Sequence, residues 1–392
     1  MEINENSNSK FYIPQIEKRN KQAVRFKYFA LGAVVLSLSF LAFFLIDIIK
    51  SGIPAFTQSS VKIEISIDEE TANNPYGILD RDMSRLVSRA WLRSFPKEIE
   101  AHPEWIGTTQ TFWALLNAEA DQYLKGNQNK LRENQTKKLD SLAKEGRIEQ
   151  KFNVTFFFTG DSKIPENAGF YAAIVGSVLT MLVTMALAVP IGVMTAVYLE
   201  EFAPDNKLTQ IIEININNLA AIPSILFGLL GLAIFINFFG VPRSSPLAGG
   251  MTLALMSLPI IIVSAKAALK SVPASIRQAG YGLGLTKWQV TKDHVLPLAF
   301  PGILTGSIIA LAQAMGETAP LIIVGMIAFV PDPVTSITSA ATVMPAQIFT
   351  WSGMPERAYI EKTAAGIMVL LTVLISLNTI AVILRKKFEV KW

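Results

Sequence analysis

The sequence predicts an all-α polytopic membrane protein with six transmembrane helices and a mixed α/β soluble insert between the first two. Of its 392 residues, 51% are hydrophobic and only 17% are charged, and the mean hydropathy is +0.38. A helix needs about 20 apolar residues to cross a bilayer. Apolar runs of roughly that length or longer occupy residues 28–49, 171–199, 219–239, 247–269, 301–330 and 364–384.

The distribution of basic residues predicts the orientation of these spans. With the amino terminus in the cytoplasm, sixteen of the 35 lysines and arginines fall in inner segments and three in the two short outer loops. The rest lie in the long segment between the first two spans, which the positive-inside rule does not count. Both termini are therefore predicted to be cytoplasmic. The excess of positive charge follows from this topology, so a nucleic-acid partner is not indicated.

Taken in order, the chain divides into four parts. Residues 1–27 are a basic cytoplasmic tail that we expect to be poorly ordered. Residues 28–49 form the first transmembrane helix, whose apolar run of about 22 residues exceeds the ~7–15 of a cleaved secretory signal. Residues 50–168 form an extracytoplasmic insert, and residues 169–392 form a core with the other five spans.

The insert contains signals for both strands and helices. Residues 61–67 alternate apolar and polar side chains with period two, which predicts a strand. Residues 109–150 are predicted to form one or two amphipathic helices. No pattern in the insert indicates chemistry, so a supporting or docking domain is favoured over a ligand sensor.

The residue types present exclude several classes of site. The chain has no cysteine and only two histidines, which rules out disulfides, thiolate metal sites and multi-histidine metal sites. It also lacks the Gly-rich G-x-x-x-x-G-K-[ST] loop that cradles nucleotide phosphates. We therefore predict no catalysis, no metal and no cofactor in this chain.

A polar, glycine-rich segment at 273–301 interrupts the apolar core between the fourth and fifth spans. Gly280, Gly282 and Gly284 lie within five positions, although each glycine costs a helix ~1 kcal/mol relative to alanine. A backbone that must approach another surface closely would explain them. Gly280 and Gly284 also match a transmembrane packing motif. That alternative would place Lys287 and Lys292 in hydrocarbon, which disfavours it.

The fifth span contains a carboxylate. Glu317 lies about halfway along residues 301–330, which predicts a position near the bilayer midplane. An ionisable group there costs ~2.5–3.5 kcal/mol on insertion scales and is usually functional. Glu317 and Thr318 are therefore candidates for a translocation path or gate, and a buried Glu317 that serves only helix packing is the alternative.

The segment at 273–297 resembles the cytoplasmic coupling loop of ABC-importer permeases, whose pattern is E-A-A, three residues, G, nine residues, I, one residue, L-P. Three positions depart from that pattern, since Gln278 stands for Glu, Gly280 for Ala and His294 for Ile. The matching positions, which the resemblance implies contact an ATPase, are Gln278, Ala279, Gly280, Gly284, Leu296 and Pro297.

Four further motifs, from about Phe170 to Arg385, make the core similar to phosphate ABC-importer permeases of the PstA type. They read GETAPL at 316–321, LPLAFPGILTG at 296–306, IPSILFGLLGL at 222–232 and AVYLEEFA at 196–203. The large insert resembles a longer form of this permease. The family often carries Arg where this chain has Gln313, so the cation that balances Glu317 would come from elsewhere, such as the sister permease.

The resemblance implies a type I ABC-importer permease core that forms half of a phosphate path in the inner membrane of a bacterium. It also implies three partners: a second permease of the PstC type, an ATPase pair of the PstB type that binds ATP-Mg, and a phosphate-binding protein of the PstS type. Glu317 would pair with a cation or set a gate, and phosphate would pass hydroxyls and amides such as Ser257, Gln313 and Thr318.

Other functions stay open at this point. A permease for sulfate or molybdate, or the sister phosphate permease, would share this machinery. A membrane sensor would bind its ligand through residues 50–168. A secondary transporter would need no ATPase, but we find no inverted repeat to support one.

Overall fold

A computed structural model describes residues 9–68, 79–332 and 334–388 and divides the chain into two units, residues 1–51 and residues 52–392. Helix α1 (Ser9–Gly52) has 44 residues, lies in the first unit except for Gly52, and is exposed over residues 18–47. At 1.5 Å per residue it is about 66 Å long, roughly twice the hydrocarbon thickness of a bilayer. The helix begins at Ser9, before the basic residues, although the sequence analysis expected a poorly ordered tail up to residue 27.

The insert is built on a three-stranded antiparallel sheet in the order β2–β1–β3. Its strands are β1 (Thr57–Ser66), β2 (Thr109–Leu115) and β3 (Ile148–Phe152). One face of β1 is buried through Val61, Ile63 and Ile65, as the period-two pattern predicts.

Helices α2 (Arg89–Ala101), α3 (Ala118–Leu124) and α4 (Glu133–Lys144) contribute to the same apolar cluster. The prediction of only helices across residues 109–150 is wrong at its two ends. Residues 109–115 pair with β1 from Ser60–Leu115 to Ser66–Thr109, and residues 148–150 pair with β1 from the other side. A short helix α5 (Val154–Phe158) then leads to the core.

The core contains four long apolar helices. They are α6 (Tyr171–Val197), which continues through a π-helical turn to Phe202; α9 (Pro246–Lys270); α12 (Leu296–Gly316); and α15 (Arg357–Phe388). Together with α1, they make five described helices that are long and apolar enough to cross a membrane. A sixth span results if the bent pair α7 (Lys207–Leu219) and α8 (Ser224–Gly231, continuing to Phe238) counts as one.

Two predicted spans are broken rather than continuous. Residues 219–239 are predicted to form one span, but the helix there runs only from Ser224 to Phe238, and α7 before the break at Pro223 is bent away from it by 103°. Residues 301–330 were also expected to form one helix, but α12 ends at Gly316 and a separate short helix α13 (Ala319–Ile323) follows. Proline lacks the N–H that would continue each helix and restricts the residue before it, which explains why the breaks fall near Pro223 and Pro320.

Helix α9 lies at the centre of the core and is the most buried of the candidate spans. It packs against α6 and α12 where small residues leave room. A Cβ on Gly192 of α6 would lie 2.7 Å from Ile261 Cγ2, and one on Gly302 of α12 would lie 2.6 Å from Ala268 Cβ. Any side chain at these glycines would push the helices apart, so they set the close helix spacing.

The insert is joined to the core by buried polar contacts. Lys125 of the insert lies 2.5 Å from Asp121 and 3.5 Å from Glu361, which is in the first turns of α15. Asn127 Nδ2 donates to the other oxygen of Glu361 at 2.6 Å. On the core side, helix α14 (Met344–Ser352) contributes Trp351, whose Nε1 donates to Asp161 at 3.0 Å. These contacts attach the insert to the start of the last long helix.

Candidate functional site

The loop between α9 and α12 folds into two short helices with a tight turn between them. Helix α10 (Ala274–Gly282) starts after Pro273, and α11 (Lys287–Val290) starts after Thr286. Thr286 and Gln289 form a capping box, with Gln289 Oε1 accepting the Thr286 N–H at 2.8 Å. This arrangement satisfies backbone donors at the start of α11 and fixes its direction.

The glycines of this loop have separate structural reasons. Gly280 is buried, and a Cβ there would lie 2.7 Å from Val290 Cγ2, so it lets α10 pack against α11. Gly284 has φ +81°, a left-handed conformation that favours glycine at the turn. A Cβ added to Gly282 would lie more than 4 Å from any neighbouring atom. The glycine spacing predicts close approach to an external surface, but Gly280 and Gly284 are already required by the fold of the loop itself.

The other predicted coupling residues differ in exposure. Gln278 and Ala279 are exposed on α10, and Gly284 is exposed at the turn. Leu296 is half-buried, packed against a cluster that includes Val290 and Val295, and Pro297 is exposed in the first turn of α12. Leu296 and Pro297 therefore join the loop to a long helix, while Gln278, Ala279 and Gly284 remain accessible to a partner.

The loop also presents large apolar side chains to the outside, which the sequence analysis did not single out. Leu283 is 81% exposed, Trp288 is 58% exposed and Tyr281 is 45% exposed. We call these three residues the apolar face of the loop. Exposed residues of this size on a basic, polar segment are typical of surfaces that contact another protein.

An ion pair anchors the loop to the end of the second span. Arg277 Nη2 donates to Glu201 Oε1 at 2.6 Å, and Arg277 Nε lies 3.2 Å from the same oxygen. The guanidinium also donates to the carbonyl of Val272 at 2.8 Å and to that of Leu269 at 3.0 Å. Hydrogen bonding to Glu201 raises the pKa of Arg277 above its usual value. Arg277 thus ties α10 both to the π-helical turn that ends the second span and to the last carbonyls of α9.

The candidate gate lies at the break between α12 and α13. Glu317 adopts an extended conformation directly after α12 (φ −74°, ψ 130°), and Thr318 precedes α13. Glu317 is half-buried, and in the described part of the chain its carboxylate has neither an ion-pair partner nor a hydrogen-bond partner. The break is held from one side by α8, because a Cβ on Gly228 would lie 2.7 Å from Pro320 Cα. The carboxylate therefore lies at the end of a spanning helix, which corrects the prediction of a position halfway along one.

Ser257 and Gln313 lie on the two helices next to this break. Gly306 of α12 faces Ser264 of α9 in the close packing of the two helices. Because these helices run antiparallel, Ser257 of α9 and Gln313 of α12 lie at the same level, about two turns along each helix from this contact. Gln313 is one turn before Glu317. Ser257 is 1% exposed, and its hydroxyl has no hydrogen-bond partner among the described residues, whereas Gln313 is exposed. The four predicted path residues are thus placed near one level, but no hydrogen bond in the described structure joins them.

These features define a multi-pass membrane protein with a structured loop between two spans and a polar break in its apolar core. Residues 188–390 match the family described as binding-protein-dependent transport system inner membrane component. The chain belongs to this family, and it is a transmembrane permease subunit. Residues 14–77 and 77–133 match a domain of unknown function, DUF3333.

Individual relatives support the same assignment. The chain is 33% identical over 167 residues to the probable ABC transporter permease protein YqgI of Bacillus subtilis, covering 43% of this chain and 56% of YqgI. It is 32% identical over 225 residues to the phosphate transport system permease protein PstA 1 of Mycobacterium tuberculosis, covering 57% of this chain and 73% of PstA 1. The chain thus spans little more than half of YqgI and about three quarters of PstA 1.

One solved structure similar to the core is the inward-facing MetNI methionine ABC transporter, with 17% identity and a TM-score of 0.46. The match covers 56% of this chain and 95% of the MetNI chain. The similarity is too low to add to the assignment that the family match already gives.

Proposed function

We propose that this permease subunit serves an ATP-driven importer of inorganic phosphate and forms half of its translocation path. The proposal is supported by the name of the M. tuberculosis relative, a phosphate transport system permease. The other half of the path would come from a second permease of the PstC type. An ATPase pair of the PstB type would supply the energy, and an external binding protein of the PstS type would deliver phosphate.

The observation that carries the coupling role is an apolar face on a loop that is firmly attached to the spans. Leu283 and Trp288 are accessible. Arg277 holds α10 to the second span, and Val290 of α11 packs against Gly280 of α10. A partner that moves the apolar face would therefore also move the ends of α6, α9 and α12. This is how a rigid-body motion at one subunit is passed to another. Gln278, Ala279 and Gly284 border the same face and would line the contact.

The orientation proposed for the chain places this loop, and both termini, in the cytoplasm of a bacterium. The distribution of lysine and arginine between short loops supports it. The insert is then on the outer side of the inner membrane, where a binding protein would arrive.

We further propose that Glu317 acts as a gate rather than as a phosphate ligand. A carboxylate repels an oxyanion, and the side chain has no cationic partner in the described part of the chain. A cation from the second permease would pair with it in one state of the transporter and leave it in another. Phosphate would pass by neutral donors, for which Ser257, Gln313 and Thr318 are available. If Glu317→Gln transported radiolabelled phosphate at the wild-type rate, the gate would be elsewhere.

The test of the whole proposal uses the chain with its native partners. A tagged chain extracted in detergent is expected to bring an ATPase and a second permease with it, and Leu283→Asp is expected to lose the ATPase while keeping the second permease. Ile106→Asp is the control, since Ile106 is an exposed apolar residue of the insert (43%) and lies outside the loop. Retention of the ATPase by Leu283→Asp would refute the coupling role.

Substrate choice is tested separately by uptake. Radiolabelled phosphate should be displaced by unlabelled phosphate and not by sulfate or molybdate at equal concentration. Displacement by sulfate or molybdate would favour a permease for another oxyanion. Identification of the co-purified permease distinguishes a PstA-type subunit from its sister. The family to which the chain belongs is one of transport-system components, so it does not support the alternatives of a membrane sensor or a secondary transporter.

A further inference from the structure

A cleft of about 470 Å³ opens between the insert and the outer loops of the core. This volume is within the range of small-molecule sites, about 300–1,000 Å³. Residues 84–89 and 117–122 of the insert form one wall, and the other is formed by residues 163–166, at the end of the insert, with residues 356–358 of the core. The cleft thus exists only because the insert is attached to the core, and the match to a domain of unknown function gives it no role.

Four cationic side chains surround the cleft. Arg85, Arg89 and Lys163 come from the insert, and Arg357 comes from the core. All four are exposed, and within the described ranges none has a carboxylate partner. Lys163 instead lies 5.8 Å from the centre of the Phe329 ring. Lysines elsewhere in the insert, such as Lys125 and Lys137, are paired with carboxylates. Unpaired cations converging on one concave surface favour a negatively charged ligand.

Three carboxylates also line the cleft. Glu166 Oε2 accepts the N–H of Ala118 at 3.2 Å, and Glu119 Oε2 accepts the N–H of Lys130 at 2.6 Å. The third carboxylate, Glu356, is exposed to solvent. Four cations against three carboxylates leave the cleft with a formal net charge of +1.

A buried amide lies in the wall at the back of the cleft. Gln122 is 3% exposed, its Oε1 accepts from Asn127 Nδ2 at 3.1 Å, and its Nε2 has no hydrogen-bond partner among the described residues. Gln122 also lines a cavity of about 20 Å³ behind the cleft, which holds one water at most. This nitrogen is closed off from the cleft, so Gln122 shapes the wall and the cations contact the ligand.

We propose that this cleft is a binding site for a small, multiply charged oxyanion. Arg85 and Arg89 on one side and Lys163 and Arg357 on the other hold its charge, and Gln122 forms part of the wall behind it. A concave site with cations on two sides suits a small ion better than the flat acidic surface of a protein. Bound there, the anion is concentrated beside the core on the proposed outer side. Only the choice of inorganic phosphate as the probe rests on the proposed function.

The test measures equilibrium binding of radiolabelled phosphate to the purified full-length chain in detergent. The double variant Arg85→Gln/Arg357→Gln removes one cation from each wall and is expected to weaken binding about tenfold or more. Arg81→Gln/Lys138→Gln is the matched control, since it removes the same charge from exposed insert positions outside the cleft. That control is expected to change binding less than about twofold. Thermal unfolding of each variant verifies that the chain is folded, and Lys163→Gln alone provides a milder change at an exposed position.

The outcomes separate this site from the proposed transport function. Absence of both phosphate and sulfate binding to the wild-type chain would overturn the site, as would equal loss in the two double variants or unchanged binding in Arg85→Gln/Arg357→Gln. Sulfate binding without phosphate binding, lost in the cleft variant, would support the oxyanion site and count against phosphate as the transported ion. Loss of phosphate binding in Arg85→Gln/Arg357→Gln, but not in the control variant, supports both the cleft site and phosphate as the transported ion.

Discussion

Replacing Arg277 with Gln should release the loop at 273–297 from the spans. The side chain of Glu201 is only 5% exposed and that of Arg277 is 19% exposed, so the pair is largely out of water. A glutamine at this position could not supply the charge or the forked donors that Glu201 accepts. The variant therefore leaves a buried carboxylate without a cation, and the carbonyls of Leu269 and Val272 without their donor.

The expected magnitude follows from this burial. Removing one partner of a buried ion pair costs about 3–5 kcal/mol, and the partial exposure of Arg277 places this pair near the lower end. About 3 kcal/mol corresponds to about a 100-fold change in an equilibrium constant. Lys292→Gln serves as the control in the same loop, since Lys292 lies 3.8 Å from Asp293 and both side chains are more than half exposed. Such a surface pair contributes about 0.2–1 kcal/mol, so the control should change the equilibrium by a few-fold at most.

The assay is amide hydrogen exchange of residues 274–290, read by mass spectrometry on the chain in detergent. Local opening of the loop exposes these amides, so Arg277→Gln should speed their exchange about 100-fold by the same reasoning. Glu201→Gln should have a smaller effect, because it leaves no uncompensated anion. The double variant Arg277→Gln/Glu201→Gln should exchange no faster than Arg277→Gln alone, because it removes the stranded charge.

Two results would refute this reasoning. If Arg277→Gln exchanged like Lys292→Gln, the ion pair would not hold the loop. If the effects of Arg277→Gln and Glu201→Gln simply added in the double variant, the two side chains would act independently and not as a pair.

Two further predictions concern packing and the junction of insert and core. Gly280→Ala should destabilise the loop by about 1–3 kcal/mol through the clash with Val290, and Val290→Ala should relieve it. Gly282→Ala, which meets no atom within 4 Å, should be neutral or stabilising by up to ~1 kcal/mol, and equal effects at both glycines would contradict this account. Lys125→Met should leave the two carboxylates of the junction buried without a cation, so it should lower the thermal unfolding temperature and speed proteolysis of the insert, with a cost of about 3–5 kcal/mol. Lys137→Met removes an exposed pair and should change stability by less than about 1 kcal/mol, and a similar loss in both variants would show that burial of the junction does not matter.

The contribution of local pattern is clearest in the strand β1 and in the long spans. Val61, Ile63 and Ile65 alternate with polar residues because only one face of the strand is buried, and that periodicity is readable without coordinates. Apolar length likewise predicts the spanning helices, since the bilayer imposes it. Local pattern was insufficient for β2, because residues 109–115 become a strand through pairing with β1, about 50 positions away.

Prolines within apolar runs show the limit of the same reasoning. Pro223 and Pro320 were visible as interruptions, but a kinked helix and a broken helix have the same local sequence. The neighbouring helix decides between them, as where α8 packs directly on Pro320 through Gly228. Glu317 therefore lies at the end of a spanning helix because of a tertiary contact, which no count of apolar residues could show.

The sequence by itself determined the membrane class, the apolar runs of spanning length, the glycine-rich loop and the family motifs, because length, periodicity and residue type are local properties. The tertiary structure decided which of those parts contact one another. Arg277 and Glu201 are 76 positions apart and meet only when α9 packs on α6, and Leu283 is turned outward only once Gly280 and Val290 have closed the loop behind it. Ion pairs and exposed faces depend on distances through space, and a single sequence records only distances along the chain.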